Sequence, residues 1–293
     1  MLESLLPLAV IDLLAIAVKA AGYLAFLLAA GSALVLGVLP HLPGAEVRFL
    51  RRLVPAMALL AAALAATRLS IEAVILAGDD WDAFFDVELI MLMLEGPAGL
   101  ALGVQGLGLL LLMGVLLPGV IGVVAGLLGA LAVATGFGLT GHTAAVDGWL
   151  LNALIIVHLL GLSFWVGIFL PLYRVTTYDL GHAGQVAAAF GRVAIWVVPI
   201  LVAAGVYTFH QLTGGVGAAI KTSYGQLFAI KIVLFSGVFL LAAINKLSLT
   251  PALARGERLA PAKMRRSLTL ESLLILAILV ATASFTTLTG PQG

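Results

Sequence analysis

Between Gly141 and Leu170 the chain reads GHTAAVDGWLLNALIIVHLLGLSFWVGIFL. A short polar stretch carries His142 and Asp147, and the long apolar run after it holds one histidine, His158. Gly161 and Trp165 follow at helical spacing, so the three share one face of a helix. The run is long enough to cross a bilayer, which puts an imidazole at membrane depth. Ionisable groups there are costly and are functional candidates by default. The chain has five histidines: His41, His142, His158, His182 and His210. Imidazole suits copper, zinc and haem iron, and thioether sulfur suits Cu(I), which adds Met91 and Met93 to the candidate metal ligands. Each has a plainer reading. His158 can be a buried histidine bonded to a neighbouring helix, His41 and His182 ordinary loop residues, and the methionines filler of irregular apolar gaps.

Other charges sit inside apolar runs and need partners. Arg68 and Glu72 are spaced to pair on one helix face, and Asp12 and Lys19 lie two turns apart. Lys231 lies where Glu95 or Asp147 is a possible partner, and Glu271 is close in sequence to Arg265 and Arg266. Internal salt bridges are the structural reading of these charges, and an ion or proton relay is the functional one.

The elements that position these groups follow from composition. The chain has 293 residues, is 62% hydrophobic and only 10% charged, against about 45–50% and about 25% in soluble domains. Apolar runs of roughly 20 residues recur between short polar breaks, which predicts an all-α, polytopic membrane protein rather than a β-barrel. Eight spans are expected, at about 8–38, 53–77, 97–117, 119–139, 148–171, 188–212, 224–246 and 267–289. The first run outlasts a signal-peptide core and lacks a basic leader, so it reads as a retained helix. The net charge of +1 gives no reason to expect nucleic acid, and the absence of cysteine excludes disulfides and thiolate metal sites from this chain. No phosphate loop, zincin or nucleophile-elbow motif occurs, so the expectation is a non-enzyme without ATP hydrolysis.

Arginine and lysine set the expected orientation. The segments after spans 1, 5 and 7 carry Arg48, Arg51 and Arg52; Arg174 and Arg192; and Lys246, Arg255, Arg258, Lys263, Arg265 and Arg266. These are expected to face the cytoplasm, with both termini outside. His142 and His210 then fall near the outer face, and His158 roughly 15 Å below it. The acidic segment 78–95, with Asp79, Asp80, Asp82, Asp86, Glu88 and Glu95, is expected to form an interfacial or re-entrant helix capping that face, or else a solvated acidic loop.

A faint repeat runs through the chain. Lys19, Gly22 and Phe26 echo His158, Gly161 and Trp165; Gly99 and Gln105 echo Gly225 and Lys231; Leu139-Thr140-Gly141 echoes Leu288-Thr289-Gly290. The expectation is two four-helix halves in tandem, residues 1–140 and 141–293, related by an axis along the membrane normal.

An ordered set of short pieces carries a family likeness: Gly141-His142, His158 with Trp165-Val166-Gly167, Phe190-Gly191-Arg192, Thr222-Ser223-Tyr224-Gly225-Gln226, Ile230-Lys231, Asn245-Lys246, Thr250-Pro251, and Arg266 followed by Glu271. Together they make residues 140–290 resemble the CopD family of bacterial copper-resistance membrane proteins. The first half matches less distinctly, with Gln105 where a basic residue would be sought. The resemblance implies an eight-helix inner-membrane protein that handles or moves copper ions, acting with a separate periplasmic CopC-like copper-binding partner. It carries His142 and His158 over as candidate ligands. His210, Met91 and Met93 come from topology and ligand chemistry, with Lys19, Lys231, Asp147, Glu95 and Trp165 as supporting charge or packing. The expected function is ATP-independent copper transport or handling, with capture at the outer face and passage to His158. The alternatives are a haem- or quinone-binding redox protein, which needs a second histidine at the depth of His158, and a copper-delivery or assembly factor without flux.

Overall fold

The computed structural model describes residues 9–40, 42–139, 149–213 and 223–288. Within them α1 spans Val10–Val38, α2 Gly44–Leu76, α3 Val87–Leu94, α4 Pro97–Met113 and α5 Gly119–Gly138. The second set comprises α6 (Trp149–Tyr178), α7 (Leu180–Thr213), α8 (Ser223–Ile244), α9 (Thr250–Ala254) and α10 (Ala260–Leu288). A π-helical turn, Asn245–Leu249, joins α8 to α9 without a break. Eight of the helical stretches are long and apolar enough to cross a membrane, and the protein is a polytopic helical membrane protein. With no water in hydrocarbon, each span satisfies its own backbone by helix formation.

Several helices outrun their apolar stretches. α2, α6 and α10 begin or end within basic or acidic sequence, and α2 at 33 residues is roughly 50 Å long, well beyond the hydrocarbon thickness. The extensions are anchored by polar contacts. Glu46, in the first turn of α2 and 0% exposed, accepts hydrogen bonds from Arg174 Nε at 3.1 Å and Tyr178 Oη at 2.9 Å at the end of α6. The Arg174 guanidinium also lies 4.2 Å from the centre of the Phe49 ring. Arg265 donates to the Thr176 carbonyl at 2.9 Å.

α1 and α6 form the central pair. α1 packs on α2 and α5 within the first four spans and on α6 and α10 across from them; α6 packs on α7 and α10 and, across, on α1 and α5. α1 and α6 thus each pack on two helices of their own four spans and on two of the other four. Small residues let the backbones meet. A Cβ placed on Gly31 would stand 1.9 Å from the Ser163 carbonyl oxygen, and one on Gly167 2.3 Å from the carbonyl carbon of Gly31. The same device joins α4 to α5 at Gly108 and Gly129.

The acidic segment does not span. Trp81–Phe85 forms a 3-10 turn and α3 has eight residues, with Asp86 Oδ1 capping it by accepting from the Leu89 N–H at 3.0 Å. α3 packs on α2 and α4 and has no buried residue. Lys19, near the start of α1, donates to the Thr286 carbonyl near the end of α10 at 2.9 Å. The two ends of the described chain therefore meet on one side.

Candidate functional site

The stripe of His158, Gly161 and Trp165 faces α7. A Cβ on Gly161 would be 3.0 Å from Leu201 Cδ2 and from Val197 Cγ1, so the glycine lets α7 approach at that level. His158 is half-buried and finds its hydrogen-bond partner in the backbone of Leu201. Trp165 is 4% exposed and meets Phe190 edge to face at 6.1 Å between ring centres. The expected common face is real, and each of its three members is held by a neighbour on α7.

The indole of Trp165 also reaches α10. Its Nε1–H points at Glu271 Oε2, 3.4 Å away, while Asn245 Nδ2 donates to Glu271 Oε1. Glu271 is 1% exposed, and Ser267, one turn earlier on α10, is its third side-chain neighbour. The adjacent Lys246 turns away and donates to the Gly191 carbonyl at 2.5 Å. Glu271 thus pairs with neutral groups and not with Arg265 or Arg266. Five and six residues of helix point those arginines away from it, and Arg265 is bonded to Thr176 instead.

The other candidates are dispersed. His142 and Asp147 lie outside the described residues. His210 is exposed near the end of α7, in an open groove of about 740 Å³ shared with Tyr207, Val206 and Phe239. It lies nine residues beyond Leu201, so roughly 13 Å further along the helix than the level of His158. One ion cannot bridge the two. Met91 is 58% exposed and Met93 half-buried on α3, with Glu95 at that helix's C-terminal cap, all beside α2 and α4. Among the described residues no three His, Asp or Glu side chains gather as a metal cluster.

Lys231 lies over the Phe285 ring at 5.3 Å. Gln105 of α4 packs on α5, with its Cγ 2.4 Å from where a Cβ on Gly136 would be. In the first four spans, Lys19, Arg68, Glu72, Gln105 and Tyr23 border a cavity of about 30 Å³, room for about one water molecule. Arg68 and Glu72 form the expected pair at 2.7 Å. Asp12 does not reach Lys19 and instead accepts from the Ala9 N–H at 3.1 Å.

Sequence reasoning missed the Glu46–Arg174–Tyr178 cluster, whose members are far apart in the chain. It also missed the role of Asn245 and Ser267. The one available signal was the spacing of Ser267 and Glu271, which puts both on one helix face.

Comparison with protein families gives two adjoining matches. Residues 10–153 match the family described as copper resistance protein D-like, N-terminal domain, and residues 184–285 match copper resistance protein D. No curated protein and no solved structure matches the chain. The matches take in all or most of seven of the eight spans, with Asn245 and Glu271, but of α6 only residues 149–153, so His158, Gly161 and Trp165 fall between them; on the two matches together the chain belongs to the copper resistance protein D family, with a copper-related function.

Proposed function

We propose that this protein moves copper ions across the bacterial inner membrane without ATP. His142 captures the ion at the periplasmic face, aided by Met91, Met93 or His210, and His158 receives it inside the membrane. The observation that carries the reading is the family membership over both halves of the chain. Three further points support it. His158 lies nine residues into α6, roughly 13 Å from that helix's start. Its hydrogen bond with the Leu201 backbone occupies one ring nitrogen and leaves the other for a metal, the usual arrangement of a ligating imidazole. The basic starts of α2 and α10, with Arg174 near the end of α6, suit the cytoplasmic side, which puts the Lys19–Thr286 end outside.

In this reading the ligands are used in succession. The separation of His210 from the level of His158 suits handover between stations better than one shared site. The same separation disfavours bis-histidine haem ligation by these two residues. Capture is expected to be fed by a periplasmic copper-binding protein of the CopC type, docking near the acidic segment 78–95.

The test is reconstitution of the purified protein into liposomes that enclose a copper-sensitive dye. The expected result is copper-dependent quenching with wild type, strongly reduced in His158→Ala and His142→Ala. Copper binding without flux would replace transport by copper delivery, and absence of copper binding by the wild type would overturn the reading.

A further inference from the structure

Glu271 stands in an arrangement that a structural ion pair does not require. It is fully buried, eleven residues into α10 and so roughly 16 Å from that helix's start. A carboxyl so buried is expected to pair with a cation or to be neutral. The charged and titratable groups on the elements packed against it are all engaged elsewhere. On α1, Lys19 is bonded to Thr286, fifteen residues further along α10, and Asp12 and Tyr23 lie at the same end. On α6, Arg174 and Tyr178 are bonded to Glu46, His158 to the Leu201 backbone, and Tyr173 is exposed two turns beyond Trp165. On α8 and its π turn, Lys231 lies over Phe285 and Lys246 is bonded to Gly191. α9 carries no charge, and on α10 itself Arg265 is bonded to Thr176 while Lys263 and Arg266 are exposed.

What surrounds the carboxyl is a set of neutral donors and acceptors. Two N–H donors, Trp165 Nε1 and Asn245 Nδ2, are aimed at its two oxygens and satisfy a carboxylate. The Ser267 hydroxyl is the third polar neighbour and can donate to the carboxylate. Beside them Asn245 Oδ1 is buried with no hydrogen-bond partner among the described residues. A buried acceptor left without a donor is costly. A carboxylic acid O–H at Glu271 is the donor this oxygen lacks. The π turn that begins at Asn245 places this amide in the cluster, and such turns recur at functional positions.

We propose that Glu271, Asn245, Ser267 and Trp165 form a proton-binding site, in which the buried carboxyl alternates between a carboxylate held by the two N–H groups and the Ser267 hydroxyl and an acid whose O–H is taken by Asn245 Oδ1. Binding one proton from water neutralises the carboxylate and releases one of its N–H donors. When that donor is Trp165, the change is felt on α6 in the same stripe as His158. The inference stands on the geometry of this cluster and does not depend on the copper reading.

Infrared difference spectroscopy of the full-length protein in lipid nanodiscs, between acid and alkaline buffers, reads the carboxylic-acid C=O band directly. A pH-dependent band is expected in wild type and should be absent in Glu271→Gln. Two further variants keep the test decisive should that one fail to fold. Ser267→Ala and Trp165→Phe each remove a donor to the carboxylate and raise proton affinity, by about three- to tenfold, moving the midpoint to higher pH. In a purely structural cluster the carboxyl would not titrate and neither variant would move a midpoint. A band that persists in Glu271→Gln, no band in wild type, or a midpoint that neither variant moves to higher pH would overturn the proposal.

Discussion

Gly31 of α1 and Gly167 of α6 bring two membrane helices into backbone contact, with the position of a Cβ on Gly167 only 2.3 Å from the carbonyl carbon of Gly31. The obstacle is main chain, which cannot swing aside. Gly167→Ala is therefore expected to push the central helices apart and cost about 1–3 kcal/mol, the range for overpacking. Gly205→Ala, in α7 with open space around its Cβ position, is expected to be neutral or stabilising by up to about 1 kcal/mol. Thermal unfolding of the two variants in the same detergent makes the comparison. Equal melting temperatures would show that the α1–α6 crossing is not tight.

A second expectation concerns the buried carboxylate of Glu46, which holds the start of α2 to the end of α6. Tyr178→Phe removes one neutral donor and is expected to cost about 1 kcal/mol. Arg174→Met keeps much of the stem that packs near Phe49 but strips Glu46 of its cation. Because Arg174 is itself 43% exposed in its side chain, the loss is expected at about 1–3 kcal/mol, below that for a fully buried pair. Denaturation midpoints by circular dichroism decide the order, and an Arg174→Met variant as stable as wild type would contradict it.

Copper affinity should separate the histidines. If the ligands act as successive stations, His158→Ala and His210→Ala each remove one station, and their effects on bound copper should be additive, as for sites without shared partners. Metal analysis of the single and double variants after equilibrium dialysis tests this. A double variant no worse than either single one would place both imidazoles on the same ion.

A fourth prediction is a pH dependence outside the membrane. Asp179, between α6 and α7, caps α7 by accepting from the His182 backbone N–H at 3.0 Å and contacts His182 Nδ1 at 2.7 Å. The backbone hydrogen bond first, and the imidazole second, hold its carboxyl below the usual carboxylate range. A group with a depressed folded-state pKa stabilises fully above its unfolded value, about 3.9, and loses that contribution as pH falls through the folded value. Asp179→Asn keeps an oxygen for the cap but not the charge. Its melting temperature should fall less steeply than that of wild type as the buffer is acidified below about pH 4; parallel slopes would remove Asp179 from the acid response.

The spans were legible because hydrocarbon demands apolar runs of fixed length, and that demand is written locally. The polar extensions at 44–52, 172–178 and 260–266 were not, since they are helical only through contacts such as Glu46 with Arg174 that join distant parts of the chain. The face of His158 followed from period. Its partner did not, because a backbone group such as that of Leu201 leaves no mark on residue type. Glu271 was visible as a buried acid, but sequence neighbours suggested arginines that the helix turns away from it, while its actual partners lie 106 and 26 residues distant. Arg68 and Glu72 paired as expected because both sit on one helix, where spacing alone determines contact.

The π turn at Asn245–Leu249 has a consequence for how this span can change in length. Such a turn absorbs one residue more than an α-helix needs for the same advance. Deleting a single residue there would leave a continuous α-helix of nearly the same reach, with the helices on either side still in register. The span would still cross the membrane, and only the turn that carries Asn245 beside Glu271 would be rebuilt. Elsewhere in these helices an indel of one residue turns a whole flank away from its neighbours. At this turn a one-residue deletion is absorbed locally, and both flanks keep their faces.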